Sequence, residues 1–192
     1  MKLERFLPSL KSFAFIKLFA VSCFVLLLSM ETVSVALPQS EFKVTTVYLV
    51  RHAEKAAAPA SDPPLTEAGT KRAEDLARKL SKADIKTILT SQFLRTKHTA
   101  EPLAKQLGIT ATVVPVKMVG RELSPDYLKE MAERATSGGG NALIVGHSNT
   151  VPELIKALGG DVAPAIDESV YDDLFVVTVY AKGKAKVAHL KQ

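Results

Sequence analysis

Short apolar runs alternate with longer amphipathic segments along most of the chain. The runs are almost continuously aliphatic, as is typical of strands buried on both faces of a parallel sheet, and they lie at Val47–Val50, Ile88–Leu89, Thr112–Val116 and Ala142–Val145. In the segments between them, apolar residues recur at i, i+3, i+4 and i+7, the spacing of one helix face. The alternation predicts an α/β fold: a three-layer sandwich with a mostly parallel central sheet and helices on both faces.

The ends of these segments carry residues with known boundary preferences. Thr66 is suited to begin a helix as its N-cap, whereas Gly108 and Gly159 lie where helices are expected to end. Near the C-terminus, two further apolar runs, Leu174–Tyr180 and Ala185–Leu190, are separated by a short turn that contains glycine. We expect this pair to form an antiparallel hairpin that completes the sheet.

The first 36 residues differ in composition from the rest. Basic side chains accompany an apolar stretch of about 13 residues, Leu18–Met30, which is shorter than a membrane-spanning helix. The small residues of Ser34-Val35-Ala36 follow, at the positions that a signal peptidase reads. We therefore expect residues 1–36 to be a signal peptide and residues 37–192 to form one exported domain, periplasmic or extracellular, with no stable membrane insertion after cleavage. An uncleaved membrane anchor from Phe13 to Met30 is the alternative.

Removal of residues 1–36 would change both the charge and the cysteine content. The remaining chain keeps 21 basic and 18 acidic side chains, a net charge of +3, and loses Cys23, the single cysteine. Because it has no basic run interleaved with aromatic residues, we expect no nucleic-acid binding. The loss of the cysteine excludes a thiol nucleophile, a thiolate zinc site and a disulfide from the mature domain.

Basic and imidazole side chains follow three of the predicted strands directly or closely. Arg51 and His52 follow the first strand, Arg95 begins the helix after the second, and His147 follows the fourth. In open α/β sheets, ligands bind outside the carboxyl ends of the strands, so we expect these four side chains to meet at one edge. Such a cluster is destabilised by charge repulsion unless an anion binds there, and a phosphoryl group fits the hydrogen-bonding geometry of arginine.

The segment after His147 would add further anion-binding groups. Ser148 and Asn149 stand at the beginning of a predicted helix, where backbone N–H groups point outward. We expect both residues to contribute to substrate binding.

Four sequence blocks resemble the histidine phosphatase superfamily, whose members include cofactor-dependent phosphoglycerate mutases and broad phosphatases. In chain order the blocks are Arg51-His52-Ala53-Glu54, Leu65-Thr66-Glu67-Ala68-Gly69, Ser91 to Ala100 with Arg95-Thr96 and Thr99-Ala100, and Gly146-His147. Ala53 stands where the family signature has glycine. The resemblance extends from about residue 47 to residue 160.

The resemblance implies a phosphohistidine mechanism. His52 would attack phosphorus, while Arg51, Arg95 and His147 would hold the oxygens of the transferring group, and water would then release phosphate. Neighbouring arginines favour the neutral imidazole that attack requires. We expect a small phosphorylated substrate and neither a cofactor nor a metal, since the sequence shows no group of aspartates or histidines at metal-ligand spacing. The sequence carries no indication of the oligomeric state.

The length between two of these blocks favours hydrolysis over isomerisation. Arg95 and His147 are separated by 51 residues, which is too short for the large insertion with which mutases cover a bisphosphorylated substrate. A phosphomonoesterase is therefore expected. The alternatives are a mutase-type phosphotransferase and a module that binds phosphate or phosphoglycan without turnover.

Acidic residues near the proposed nucleophile could serve in proton transfer. The leaving group needs a proton, and the segment after the third strand offers Glu122 and Asp126. We favour Glu122 as the catalytic acid, because Asp126 falls in the first turn of a helix, where it complements the helix dipole. Glu54 is expected to orient the adjacent arginine and histidine through hydrogen bonds.

The proposed cleavage site gives a prediction for the mature protein. Cleavage after Ala36 leaves Leu37 as the first residue of an exported form. N-terminal sequencing of the protein from its native host should therefore begin at Leu37. An intact Met1 in a cytoplasmic fraction would contradict this expectation.

Overall fold

The computed structural model describes residues 43–161 and 165–192. The expected signal peptide and Cys23 lie outside these residues. The strands are β1 Thr45–Arg51, β2 Ile85–Thr90, β3 Thr112–Val113, β4 Met118–Val119, β5 Glu122–Leu123, β6 Asn141–Gly146, β7 Asp173–Ala181 and β8 Lys184–Lys191. Six of them form one sheet in the order β3-β2-β6-β1-β7-β8, and two form a separate hairpin, β4-β5. The helices are α1 Glu67–Leu80, α2 Leu94–Leu107, α3 Pro125–Ser137 and α4 Thr150–Ala157.

The sheet separates two apolar layers. Strand β1 is central, so its buried side chains alternate between the faces: Val47 and Leu49 pack with α3 and α4, and Val50 packs with α1 and α2. Strands β3, β2, β6 and β1 are parallel, whereas β7 and β8 are antiparallel to their neighbours. The predicted three-layer fold with a C-terminal antiparallel hairpin is confirmed.

The third strand is shorter than the apolar run that predicted it. Ladder pairing ends at Val113, although the Val114 amide still donates to the Thr90 carbonyl at 2.8 Å. Pro115 has no N–H to donate, and the Val116 amide instead donates to the Gln92 side chain at 2.9 Å. The chain then forms the β4-β5 hairpin, which the sequence pattern did not indicate.

Pairing of the central strands places their carboxyl ends side by side. Arg51 lies opposite Gly146 in the parallel pair of β1 and β6, and the His52 amide continues the ladder by donating to the Gly146 carbonyl at 2.9 Å. On the other side of β6, Thr90 lies opposite Val145. The residues that follow β1, β2 and β6 therefore emerge at one edge. Within the described ranges, no helix has the length and apolar character to span a membrane.

The beginning of α1 is fixed against the segment that follows β1. Thr66 caps the helix by accepting from the Gly69 amide at 3.1 Å, and the Thr66 amide donates to the Glu54 carbonyl at 2.9 Å. Gly69 is buried so closely against Glu54 that a Cβ atom would overlap its carbonyl oxygen. Close approach of two backbones requires glycine at this position.

We expect Gly69→Ala to destabilise the protein. Glycine to alanine in a helix normally stabilises by about 0.5–1 kcal/mol, but here the added methyl group would displace backbone, which costs about 1–3 kcal/mol. Chemical denaturation measures the free energy of unfolding, with Thr70→Ala on the exposed face of α1 as the control. A gain in stability for Gly69→Ala would show that the helix can shift away at no cost.

Candidate active site

His52 follows β1 and is almost completely buried, with 3% of its surface exposed. Its Nδ1 lies 2.8 Å from the Ala53 carbonyl oxygen, which can only accept, so Nδ1 carries the proton. The Ala53 amide in turn donates to Thr99 Oγ1 of α2 at 2.9 Å, which holds this backbone in place. In the neutral ring, Nε2 therefore carries the lone pair.

His147 follows β6 and faces His52, with 5.4 Å between the ring centroids. Its Nε2 lies 3.0 Å from Ser91 Oγ at the end of β2. The His147 amide donates to Thr150 Oγ1 at 2.7 Å, and this contact needs Gly146, because a Cβ there would lie 2.6 Å from the same oxygen. The short turn into α4 thus sets the position of the second imidazole.

Both imidazoles are held in the neutral form. Burial, assisted by the charges of Arg51 and Arg95, lowers the pKa of His52 to about 4. Burial and the charge of Arg95 lower the pKa of His147 to about 3. Near neutral pH the site therefore contains cationic arginines beside uncharged histidines.

Arg95 lies in the first turn of α2 and is positioned from two sides. The Leu94 amide donates to Asp62 Oδ1 at 2.9 Å, so Asp62 caps a helix whose own N-cap, Phe93, offers no side-chain oxygen. The same Asp62 oxygen lies 3.8 Å from Arg95 Nη1, and the guanidinium stacks on the Phe93 ring at 4.2 Å. The long loop before α1, which supplies Asp62, therefore supports the site.

Arg51 is bound by the segment that precedes β7. Its Nη1 donates to the carbonyl oxygens of Asp167, Glu168 and Val170 at 3.1, 2.7 and 3.1 Å, and its Nη2 lies 2.7 Å from the Glu168 carboxylate. The Tyr171 ring covers the guanidinium at 4.2 Å. Both Arg51 Nε and Arg95 Nε are buried without an acceptor among the described residues.

A cavity of about 480 Å³ opens over the two histidines. The cavity is lined by five of the expected site residues: His52, Arg95, His147, Ser148 and Asn149. The other lining residues are Lys55, Phe93, Val116, Thr150 and Glu168. Arg51, 3% exposed, does not line it.

The two carboxylates considered as proton donors lie elsewhere. Glu122 is exposed in β5 and Asp126 is exposed in the first turn of α3, and neither lines the cavity. The role of Glu122 as a general acid stays a prediction without a contact that supports it.

The expected role of Glu54 is wrong. Its carboxylate points to α1 and forms a bidentate ion pair with Arg72, with the shortest nitrogen to oxygen distance at 2.7 Å. This pairing lowers the pKa of Glu54. Glu54 therefore fixes α1 to the chain that follows His52 and does not orient the site side chains directly.

Two acidic residues at the site, Asp62 and Glu168, were missed by sequence reasoning. Both lie in irregular segments with no periodicity, and neither belongs to a block that resembles the family. Only the folded chain shows that Asp62 reaches Arg95 and that Glu168 reaches Arg51. Within residues 43–161 and 165–192, no group of three or more histidine, cysteine or acidic side chains is arranged to hold a metal ion.

Comparison with known proteins agrees with this geometry. Residues 47–116, which include Arg51, His52 and Arg95, match the family model of the histidine phosphatase superfamily, branch 1. Over these residues the chain is similar to the histidine phosphatase superfamily. Members of this superfamily are phosphatases or mutases.

A curated protein named as a probable mutase is similar to part of this chain. A probable phosphoglycerate mutase, GpmB of Photorhabdus laumondii, is 40% identical over 75 residues, which cover 36% of this chain and 35% of the relative. The match thus spans about a third of the length of that curated relative.

Solved structures match over most of the domain. The protein histidine phosphatase SixA in complex with tungstate superposes with a TM-score of 0.60 at 22% identity, covering 76% of this chain and 96% of that chain. A protein of Agrobacterium tumefaciens proposed to be the phosphohistidine phosphatase SixA gives 0.57 at 27% identity, covering 77% and 98%. The α-ribazole phosphatase of Shigella flexneri gives 0.57 at 17% identity, covering 77% and 96%.

The environment of His52 predicts its titration. Because its pKa is lowered to about 4, the ring should remain neutral, with the proton on Nδ1, as the pH falls from 6.5 to 5. Imidazole ¹⁵N chemical shifts report both the tautomer and the charge. Protonation near pH 6.5 would contradict the lowering of the pKa by burial, and a proton on Nε2 in the neutral ring would contradict the hydrogen bond to Ala53.

Proposed function

We propose that the protein is an exported phosphomonoesterase that hydrolyses phosphate esters through a phosphohistidine intermediate on His52. The observation that carries this proposal is the buried hydrogen bond from His52 Nδ1 to the Ala53 carbonyl. It leaves Nε2 as the nucleophilic nitrogen of a neutral ring that lines a cavity with a cationic wall.

In the first step, His52 Nε2 forms a bond to phosphorus while the bond from phosphorus to the ester oxygen breaks. The ring gains positive charge, which the Ala53 carbonyl stabilises through Nδ1–H. The negative charge on the phosphoryl oxygens would be stabilised by Arg51, Arg95 and the amides at the beginning of α4, with His147 as a hydrogen-bond donor. The departing oxygen takes a proton from an acid or from solvent.

In the second step, water attacks phosphorus and the bond to Nε2 breaks. The products are inorganic phosphate and neutral His52, so the site returns to its starting state. Neutral His52 is a good leaving group here, because burial and the neighbouring arginines keep its pKa low. The residues proposed for these steps need neither a cofactor nor a metal.

Hydrolysis is favoured over isomerisation by the chain between Arg95 and His147. After α2, this stretch contains short strands and one helix, α3, before β6. A mutase must retain its intermediate away from water, whereas this cavity is covered by no inserted domain among the described residues. The alternatives are a mutase-type phosphotransferase and a phosphate-binding module without turnover. Turnover of p-nitrophenyl phosphate distinguishes a phosphatase from both.

The proposed substrate class is a small phosphorylated molecule. The similarity to SixA supports the inclusion of phosphohistidine in a panel of phosphate esters. Export of the protein is proposed from the composition of residues 1–36.

The covalent step is tested with His52→Ala. We expect this variant to lose hydrolysis of p-nitrophenyl phosphate to background, because the other buried imidazole of the described residues, that of His147, has its Nε2 3.0 Å from Ser91 Oγ. Rapid quenching of the wild-type chain with labelled substrate should trap a phosphoenzyme that is stable to base and labile to acid.

The matched control is His98→Ala, which removes a half-buried histidine from α2 outside the cavity. Its activity should equal that of the wild type, and chelators should leave both unchanged. Activity that persists in His52→Ala, or that is lost to chelation and restored by a divalent ion, would refute the mechanism.

A further inference from the structure

The Glu168 side chain places a carboxylate at the phosphate site of the protein itself. One carboxylate oxygen lies 2.7 Å from Arg51 Nη2, and the other contacts the Ser148 hydroxyl at the beginning of α4. Among the described residues, Glu168 is the one carboxylate that lines the cavity with His52. An anion thus already binds two groups that are expected to bind the phosphoryl oxygens.

Arg51 cannot reach a bound phosphoryl group while this contact persists. The guanidinium is 2% exposed and does not line the cavity, whereas Glu168 is 78% exposed and does. Arg51 Nη1 donates to backbone carbonyls, and the Tyr171 ring covers the planar face of the guanidinium. Access to Arg51 from the cavity therefore depends on Glu168.

We propose that Glu168 is an intramolecular competitor of phosphate, which occupies Arg51 and Ser148 in the free protein and leaves them when the phosphoryl group binds. This inference rests on the proposed function, since it names what the substrate has to displace. Because the side chain is mostly exposed, it can turn into solvent without disturbing the core, while Arg51 stays fixed by the backbone carbonyls of residues 167, 168 and 170.

The charge of Glu168 suits competition better than proton donation. The hydrogen bond from Ser148 and the charge of Arg51 lower the pKa of Glu168, so it is a carboxylate near neutral pH. A group that is already ionised has no proton to give to the leaving oxygen. As an anion it also repels product phosphate, so it accelerates release at the expense of ground-state affinity.

The test is the affinity of the full chain for inorganic phosphate, measured by titration calorimetry. Glu168→Gln retains the size of the side chain and removes its charge, and Glu168→Ala removes the competing group altogether. We expect each to lower the dissociation constant by about three- to tenfold, the range for loss of a partly exposed charged contact. The control is Glu133→Gln, an exposed position of α3 with the same change in net charge and no contact with the cavity, which should leave the constant unchanged.

The outcomes separate this inference from the function on which it rests. If the wild type hydrolyses p-nitrophenyl phosphate but both Glu168 variants bind phosphate more weakly, Glu168 positions Arg51 and the competition is refuted. Equal affinity also refutes the competition, because it shows that Glu168 does not oppose the binding of phosphate. Unchanged phosphate affinity with a loss of kcat confined to alkyl phosphates would make Glu168 a general acid, which also refutes it. If the wild type neither binds phosphate nor turns over an ester, the proposed function itself fails.

Discussion

The buried charge of Arg51 at the end of the central strand is the constraint on which the site depends. A guanidinium removed from water must have its charge and its N–H groups matched by the protein. Here carbonyl oxygens of the segment that leads into β7 match Nη1 and the Glu168 carboxylate matches Nη2, whereas Nε has no acceptor among the described residues. Strand β7 pairs directly with β1. This pairing brings the segment that precedes β7, and with it the groups that stabilise Arg51, to the end of β1.

Desolvation lowers the pKa of both kinds of basic side chain at this edge, but from very different ordinary values. Arginine stays charged when it is buried, whereas imidazole becomes neutral, so one environment yields both a fixed cation and a nucleophile. Two nearby carboxylates balance the positive charges of the arginines. Asp62 holds Arg95 from the side of α2, and Glu168 holds Arg51 from the side of β7, so the unliganded site avoids the repulsion that the two guanidinium groups would otherwise produce.

The parts of this site that the sequence predicted are those tied to regular elements. His52, His147 and Arg95 follow strands or begin helices, so apolar periodicity and the rule for parallel strand ends were enough to bring them together. The parts that it did not predict lie in irregular segments. Asp62 and Glu168 reach the site through loop conformations that no periodicity encodes, and the orientation of Glu54 depends on Arg72, which is a surface position in a helical pattern.

The order in which the strands pair has a consequence for how the chain acquires its structure. Strand β1 is the first to be synthesised of those described, yet its partners β6 and β7 lie near the other end of the sequence. Contacts between such distant segments require closure of long loops and form slowly. Strand β1 therefore cannot complete its pairing until β7 has left the ribosome, by which time all four helices of the described residues have already been synthesised.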